Sequence, residues 1–265
     1  MVAASAAGVT LDPCLTKNMT YPDYRLVCTW GARSQTAQEI AHDVVRFSSA
    51  LLAVCPALQA WHYLAPKDKL MPLPDDVDEV RLKVLRPGNG ARRGVAPDLT
   101  LPVGFSALLL TSKKIDAACW MAHTGSDGGG LGSRVAINCP RRGDLAQSMT
   151  EPGMMERLFR VMVEVWQPDW ARVSHTDMSD PEYAFPVHWM LYGREPLPPG
   201  LVLPDGVQAH GLTGAAGEVL APGQYFVTTP GERFVYSHPE HQARCEALKR
   251  VLREAGWLPP VPVFA

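Results

Sequence analysis

Between Tyr24 and Trp61 the chain passes from an alternating segment straight into one long amphipathic stretch, and that order restricts the folds open to it. Tyr24, Leu26, Cys28 and Trp30 share one face of a period-two pattern and Arg25 and Thr29 take the other, as a half-buried strand requires. After Trp30-Gly31-Ala32-Arg33, the apolar residues Ile40, Val44, Phe47, Leu51 and Val54 recur at spacings of four and three, which marks one face of a helix. Thr36 with Glu39 can form a capping box at its start, and Pro56 stops it. This step looks like half of a parallel crossover, but it lacks a phosphate loop.

Val80, Leu82 and Val84 alternate with Arg81 and Lys83, which predicts a strand over Val80–Leu85 that is wet on one face. Phe105–Thr111 and Ile115–His123 read as a hairpin joined through Ser112-Lys113-Lys114, and Arg134–Cys139 as the third strand of the same meander. A second helix starts near Thr150, carries Met155, Leu158, Phe159, Met162 and Trp166 on one stripe, and ends at Pro168. Short strands are expected at Ala171–Thr176, Val187–Tyr192 and Gln224–Thr228. In the last helix Ser237 and Glu240 are placed for a capping box, Pro239 lies in the first turn, and Gly256 supplies the C-terminal cap. Its stripe is Ala247, Leu248, Val251, Leu252 and Ala255. With no repeat or polar linker, residues 1–265 are expected to form a single α+β domain, a mostly antiparallel sheet with a few packed helices, preceded by a loosely ordered arm over 1–20.

The 25 Lys and Arg against 27 Asp and Glu give a net charge of −2, with both signs spread along the chain, so direct nucleic-acid or anionic-membrane binding is not expected. The six cysteines are scattered without a Cys-x-x-Cys pair and read as reduced packing residues, hence a cytoplasmic protein. The N-terminus lacks the basic and apolar regions of a secretory signal, and no apolar run is long enough to span a bilayer.

Motifs that could carry chemistry are thin. Thr124 to Arg134, with glycines at 125, 128, 129, 130 and 132, resembles an anion nest, but a strand-like run follows it where a phosphate loop needs a helix. The eight histidines include His175-Thr-Asp177 and His238-Pro-Glu-His241, neither with the spacing of a metal site, so no metal and no cofactor are expected. Gly-x-Ser-x-Gly is absent. Asp75, Asp76, Asp78 and Glu79 crowd one segment after Pro72 and Pro74 and read as a solvated acidic turn suited to a contact surface. The seven tryptophans fall at the ends of expected elements, where each ring can pack between layers while its N–H reaches a loop carbonyl.

Trp30-Gly31-Ala32-Arg33 before a helix, Trp61 after it, Trp166-Gln-Pro-Asp-Trp170, His188-Trp189-Met190-Leu191-Tyr192 and the capped last helix together resemble the immunity protein 52 family, from about Tyr24 to Leu258. The glycine loop at 125–132 and the proline-rich Glu195–Gly200 have no place in the family pattern. The resemblance implies a non-catalytic α+β protein of bacterial polymorphic toxin and type VI secretion systems. Such a protein neutralises a cognate toxin, typically a nuclease of restriction-endonuclease-like fold. A nuclease presents basic groups to phosphates, so Asp75, Asp76, Asp78 and Glu79 are the expected toxin contacts, with Asp177, Asp180, Glu182 and Tyr183 as a second rim. The alternative is a metal-dependent enzyme whose site gathers His123, Asp127, His175 and Asp177 from separate loops.

Overall fold

A computed structural model describes residues 24–88, 95–114, 116–126, 133–175 and 187–258. The arm expected over 1–20 lies outside them. Among the described residues, β1 (Tyr24–Trp30) sits in the middle of one eleven-stranded sheet. The other strands are β2 (His62–Ala65), β3 (Lys69–Pro72), β4 (Arg86–Pro87), β5 (Val103–Leu110), β6 (Cys119–Ser126), β7 (Ser133–Asn138), β8 (Trp170–His175), β9 (Met190–Gly193), β10 (Gln208–Thr213) and β11 (Val219–Val227). Their order is β10-β11-β9-β8-β1-β7-β6-β5-β2-β3, with β4 also on β5.

Every ladder is antiparallel. The expected meander is β5-β6-β7, and β1 closes between its last strand and β8. The parallel crossover suggested by the first strand and helix does not form. After α1 (Ala37–Val54) the chain runs to β2, near the far edge of the sheet, instead of returning beside β1.

The remaining helices are α2 (Val77–Lys83), α3 (Gly143–Met149), α4 (Pro152–Trp166) and α5 (Pro239–Glu254). α1 has the full Thr36–Glu39 capping box, and α4 is capped by the Glu151 carboxylate. α1 and α4 pack side by side on one face of the sheet over Leu26, Cys28, Trp30 and Trp120, and α2 leans on α1. α5 lies on the opposite face, where Leu248 and Leu252 meet Leu191 of β9 and Phe226 of β11. Each such buried Leu or Phe stabilises the fold by roughly 1.5–3 kcal/mol. No helix among the described residues is long and apolar enough to cross a membrane.

Two local expectations are corrected. Val80–Leu85 is not a strand: Asp76 caps α2 through the Glu79 N–H, and Glu79 pairs with Lys83 one turn on at 2.7 Å. Ser237 does not cap α5. The N-cap is His238 with no side-chain bond, while the Val235 N–H donates to His241 Nδ1 and the Gln242 amide to the Tyr236 carbonyl, so the entry turn is tied from inside the helix. The α5 stripe is correspondingly centred on His241, Cys245, Leu248 and Leu252.

Six tryptophans are buried. Trp257 donates to the Glu195 carbonyl as the loop argument requires, but the indole N–H groups of Trp30, Trp61, Trp120, Trp166 and Trp189 have no acceptor. Their rings instead meet other aromatic faces and edges, Trp61 against Trp120 at 6.5 Å and 84° among them. The described cysteines are all free thiols, and burial raises Cys28, Cys139 and Cys245, the latter two to about 12.

Candidate partner-binding surfaces

Two of the motifs that carried the family resemblance come together in one place, and their role there is structural. Arg33 leaves the end of β1 and donates from its two terminal nitrogens to the Trp166 and Gln167 carbonyls, both at 3.0 Å, while its guanidinium lies 5.4 Å from the centre of the Trp30 ring. It therefore terminates α4, whose last carbonyls would otherwise lack donors. Gly31 N–H donates to Asp169 Oδ2 at 2.8 Å, and Asp169 N–H donates back to Thr29 at 3.0 Å. Trp-Gly-Ala-Arg and Trp-Gln-Pro-Asp-Trp are thus two halves of a clasp between β1, α4 and β8. Arg33→Ala is expected to lower stability by about 1.5–3 kcal/mol, with Arg33→Lys recovering little because an ammonium lacks the rigid planar fork that spans the two carbonyls while lying over the Trp30 ring. Urea denaturation of the two variants checks this.

The acidic cluster lies at the start of α2 instead of in a free turn. Asp76 is occupied as the cap at 2.8 Å, Asp78 pairs with Arg81 at 3.2 Å, and Glu79 pairs with Lys83, which leaves Asp75 without a local bond. Arg81 is itself buried and also donates to the Val95 carbonyl. Asp127, Asp177, Asp180, Glu182 and Tyr183 lie outside the described residues. His123 and His175 are not brought together: they stand on β6 and β8 with β7 and β1 between, roughly 14 Å of sheet. His123 is paired with Arg134 on the face away from α1, whereas His175 is opposite Tyr24 on the α1 face and contacts the Tyr24 and Tyr236 rings.

A different surface emerges from the ladder register. Side chains directly opposite one another point to the same side of a sheet. On the side away from α1, one row reads Arg86, Ser106, His123, Arg134, Thr29, Trp170, and the next Leu108, Met121, Ala136, Val27, Arg172. Arg25 belongs to a third row beside Asn138 and Ser174. The guanidiniums of Arg25, Arg134 and Arg172 fall close enough to repel. Burial first, then Arg134, lowers the Arg25 pKa; burial, then Arg25 and Arg134, brings Arg172 to about 10. Between Arg86, Leu108, Met121 and Arg134 the face dips into an open concavity of about 220 Å³. Alternation in β1 had put Arg25 on the outer face, but the meeting of cations from four strands is set by strand order, for which single-strand periodicity carries no signal.

Against known proteins, the family model for immunity protein 52 matches residues 22–261. No curated protein matches the sequence. Among solved structures the chain is similar to the Pseudomonas aeruginosa T6SS protein PA0821, at 12% identity and a TM-score of 0.49, over 87% of this chain and 75% of that one. With the family match running across nearly all of the sheet and helices described above, the chain belongs to the immunity protein 52 family.

Proposed function

We propose that the protein acts in the cytoplasm of the producing cell by binding the toxin domain of a cognate type VI secretion effector and neutralising it stoichiometrically. The observation that carries this reading is the family match over residues 22–261. Inhibition of this kind needs a complementary surface and no catalytic set. The toxin is proposed to be a nuclease of restriction-endonuclease-like fold, whose phosphate-gripping groups would be met by acidic residues at the start of α2 and over Asp177, Asp180, Glu182 and Tyr183.

The test is co-expression with the toxin domain encoded beside this chain, scoring rescue of growth, co-purification and loss of DNA cleavage by the toxin. Killing that persists despite soluble immunity protein would sink the proposal. For the acidic contact the informative change is Asp75→Lys, since Asp76 is needed as a cap. It is expected to slow association several-fold and flatten its salt dependence with melting unchanged, because exposed charges act over about 10 Å at 0.1 M salt. An unaltered on-rate and salt slope in surface plasmon resonance would remove Asp75 from the interface.

A further inference from the structure

We infer that the open sheet face around Arg25, Arg86 and Arg134 is a docking surface for a carboxylate-rich region of the toxin, an assignment that rests on the proposed function and deepens it. Strands β1, β5, β6, β7 and β8 contain no Asp or Glu, so the charged side chains these strands bring to the face are all cationic, although the chain as a whole carries −2. Among the described residues no carboxylate pairs with Arg25, Arg86 or Arg134, and Arg25 Nε is buried without a hydrogen-bond partner. Arg86 and Arg134 are exposed, Arg25 and His123 half-buried. A free protein gains nothing from holding like charges together in a partly desolvated dip. A partner that brings carboxylates to them relieves both the repulsion and the missing hydrogen bonds.

The occupant is protein in preference to nucleic acid. Leu108 and Met121, both half-buried, line the concavity beside Arg86 and Arg134, a mixture that matches an interface core of aliphatic and sulfur side chains ringed by charge-assisted bonds. The one aromatic side chain that continues these rows from β1 onto β8, Trp170 opposite Thr29, is taken up by Trp257 edge-on at 4.9 Å, so it offers no free face for the base stacking that single-stranded nucleic acid needs. The face lies across the sheet from α2, which packs on α1, so contacts through it and through Asp75 are separable.

The experiment uses the full chain and the toxin domain encoded beside it, followed by biolayer interferometry at two salt concentrations. Arg86→Glu with Arg134→Glu is expected to weaken binding by about tenfold or more and to reverse its charge steering. The melting temperature of the free protein should stay level or rise, because Arg134 no longer repels Arg25. That pairing, weaker binding with undiminished stability, is what a purely structural role for these arginines could not produce. Arg134→Gln is a milder second variant, expected to lose part of the affinity. Binding of both variants within twofold of the unmodified chain overturns the inference while leaving the immunity function standing. If the unmodified chain neither binds nor protects, the proposed function fails and this assignment with it. Arginine-dependent binding of a mixed-sequence DNA oligonucleotide, with toxin binding unaffected, would replace the acidic protein partner by nucleic acid.

Discussion

Trp166→Ala is expected to destabilise the protein by about 3–5 kcal/mol, as large-to-small changes of buried aromatics do. The ring is 2% exposed and sits among α1, β1 and β6 in the core on the α1 face of the sheet. It stacks on Trp30 at 5.8 Å and 20°, and meets Phe47 at 5.6 Å and Trp120 at 6.4 Å edge-on. Removing it therefore strips three other rings of contacts at once and leaves a void that the rigid strand β1 cannot close. Trp30→Ala should cost a similar amount, with the added loss of the surface over which Arg33 lies. Because neither indole N–H has an acceptor, Trp166→Phe gives up volume but no hydrogen bond and should cost much less. Guanidinium titration of the three variants measures the series. A Trp166→Ala or Trp30→Ala protein that melts like the unmodified chain yet loses its toxin would show that ring to be an interface anchor.

Gly223→Ala should cost about 3–5 kcal/mol, through backbone strain and overpacking together. Gly223 sits at a bend in β11 with φ of +83°, where a side chain is disfavoured before any neighbour is considered. A Cβ there would also run into the Gly193 carbonyl and lie 2.7 Å from Arg194 Cα and 2.8 Å from its carbonyl oxygen, all backbone atoms that have no rotamer by which to move aside. The bend matters to the sheet: it follows the point at which Tyr192 donates to the Pro222 carbonyl, and the β10–β11 register shifts there. Gly217 provides the control. It shares a φ of +83° but has nothing within 4 Å, so Gly217→Ala should carry the conformational cost alone, about 1 kcal/mol. Equal melting temperatures for the two alanine variants would show that close approach of β9 and β11 does not limit this corner.

Long elements with a sustained period were legible because their pattern reports directly which face meets the core. α1, α4 and β1 run where Ile40 to Val54, Met155 to Trp166 and Tyr24 to Trp30 place them. α2 was not legible, for a specific reason. In a seven-residue segment Val80 and Val84 point inward whether they are two alternate strand positions or one helical turn, and only Leu82 separates the two readings. A half-buried strand would turn Leu82 inward with them; it is 43% exposed, because the Asp76 cap and the Glu79–Lys83 pair select the helix. The strands β2, β3, β4 and β10 were missed because two to six residues are too few to establish a period, and they exist by pairing with neighbours already in place.

For the candidate site the division runs along the same line. The sequence alone determined the mixed antiparallel class, the large helices, the outward position of Arg25 and, through scattered aromatic and Gly/Arg positions, the family. Those are properties of local periodicity and of residue type, which do not depend on what lies beside them. Only the tertiary structure decided that Arg33 and Asp169 close a clasp, that His123 and His175 face opposite sides of the sheet, and that Arg86, Arg134, Arg25 and Arg172 share one surface. Each of these depends on which strands are neighbours and in what register. In an antiparallel sheet that choice follows from how the helices cover its two faces, a balance of burial summed over the whole chain that no single segment contains.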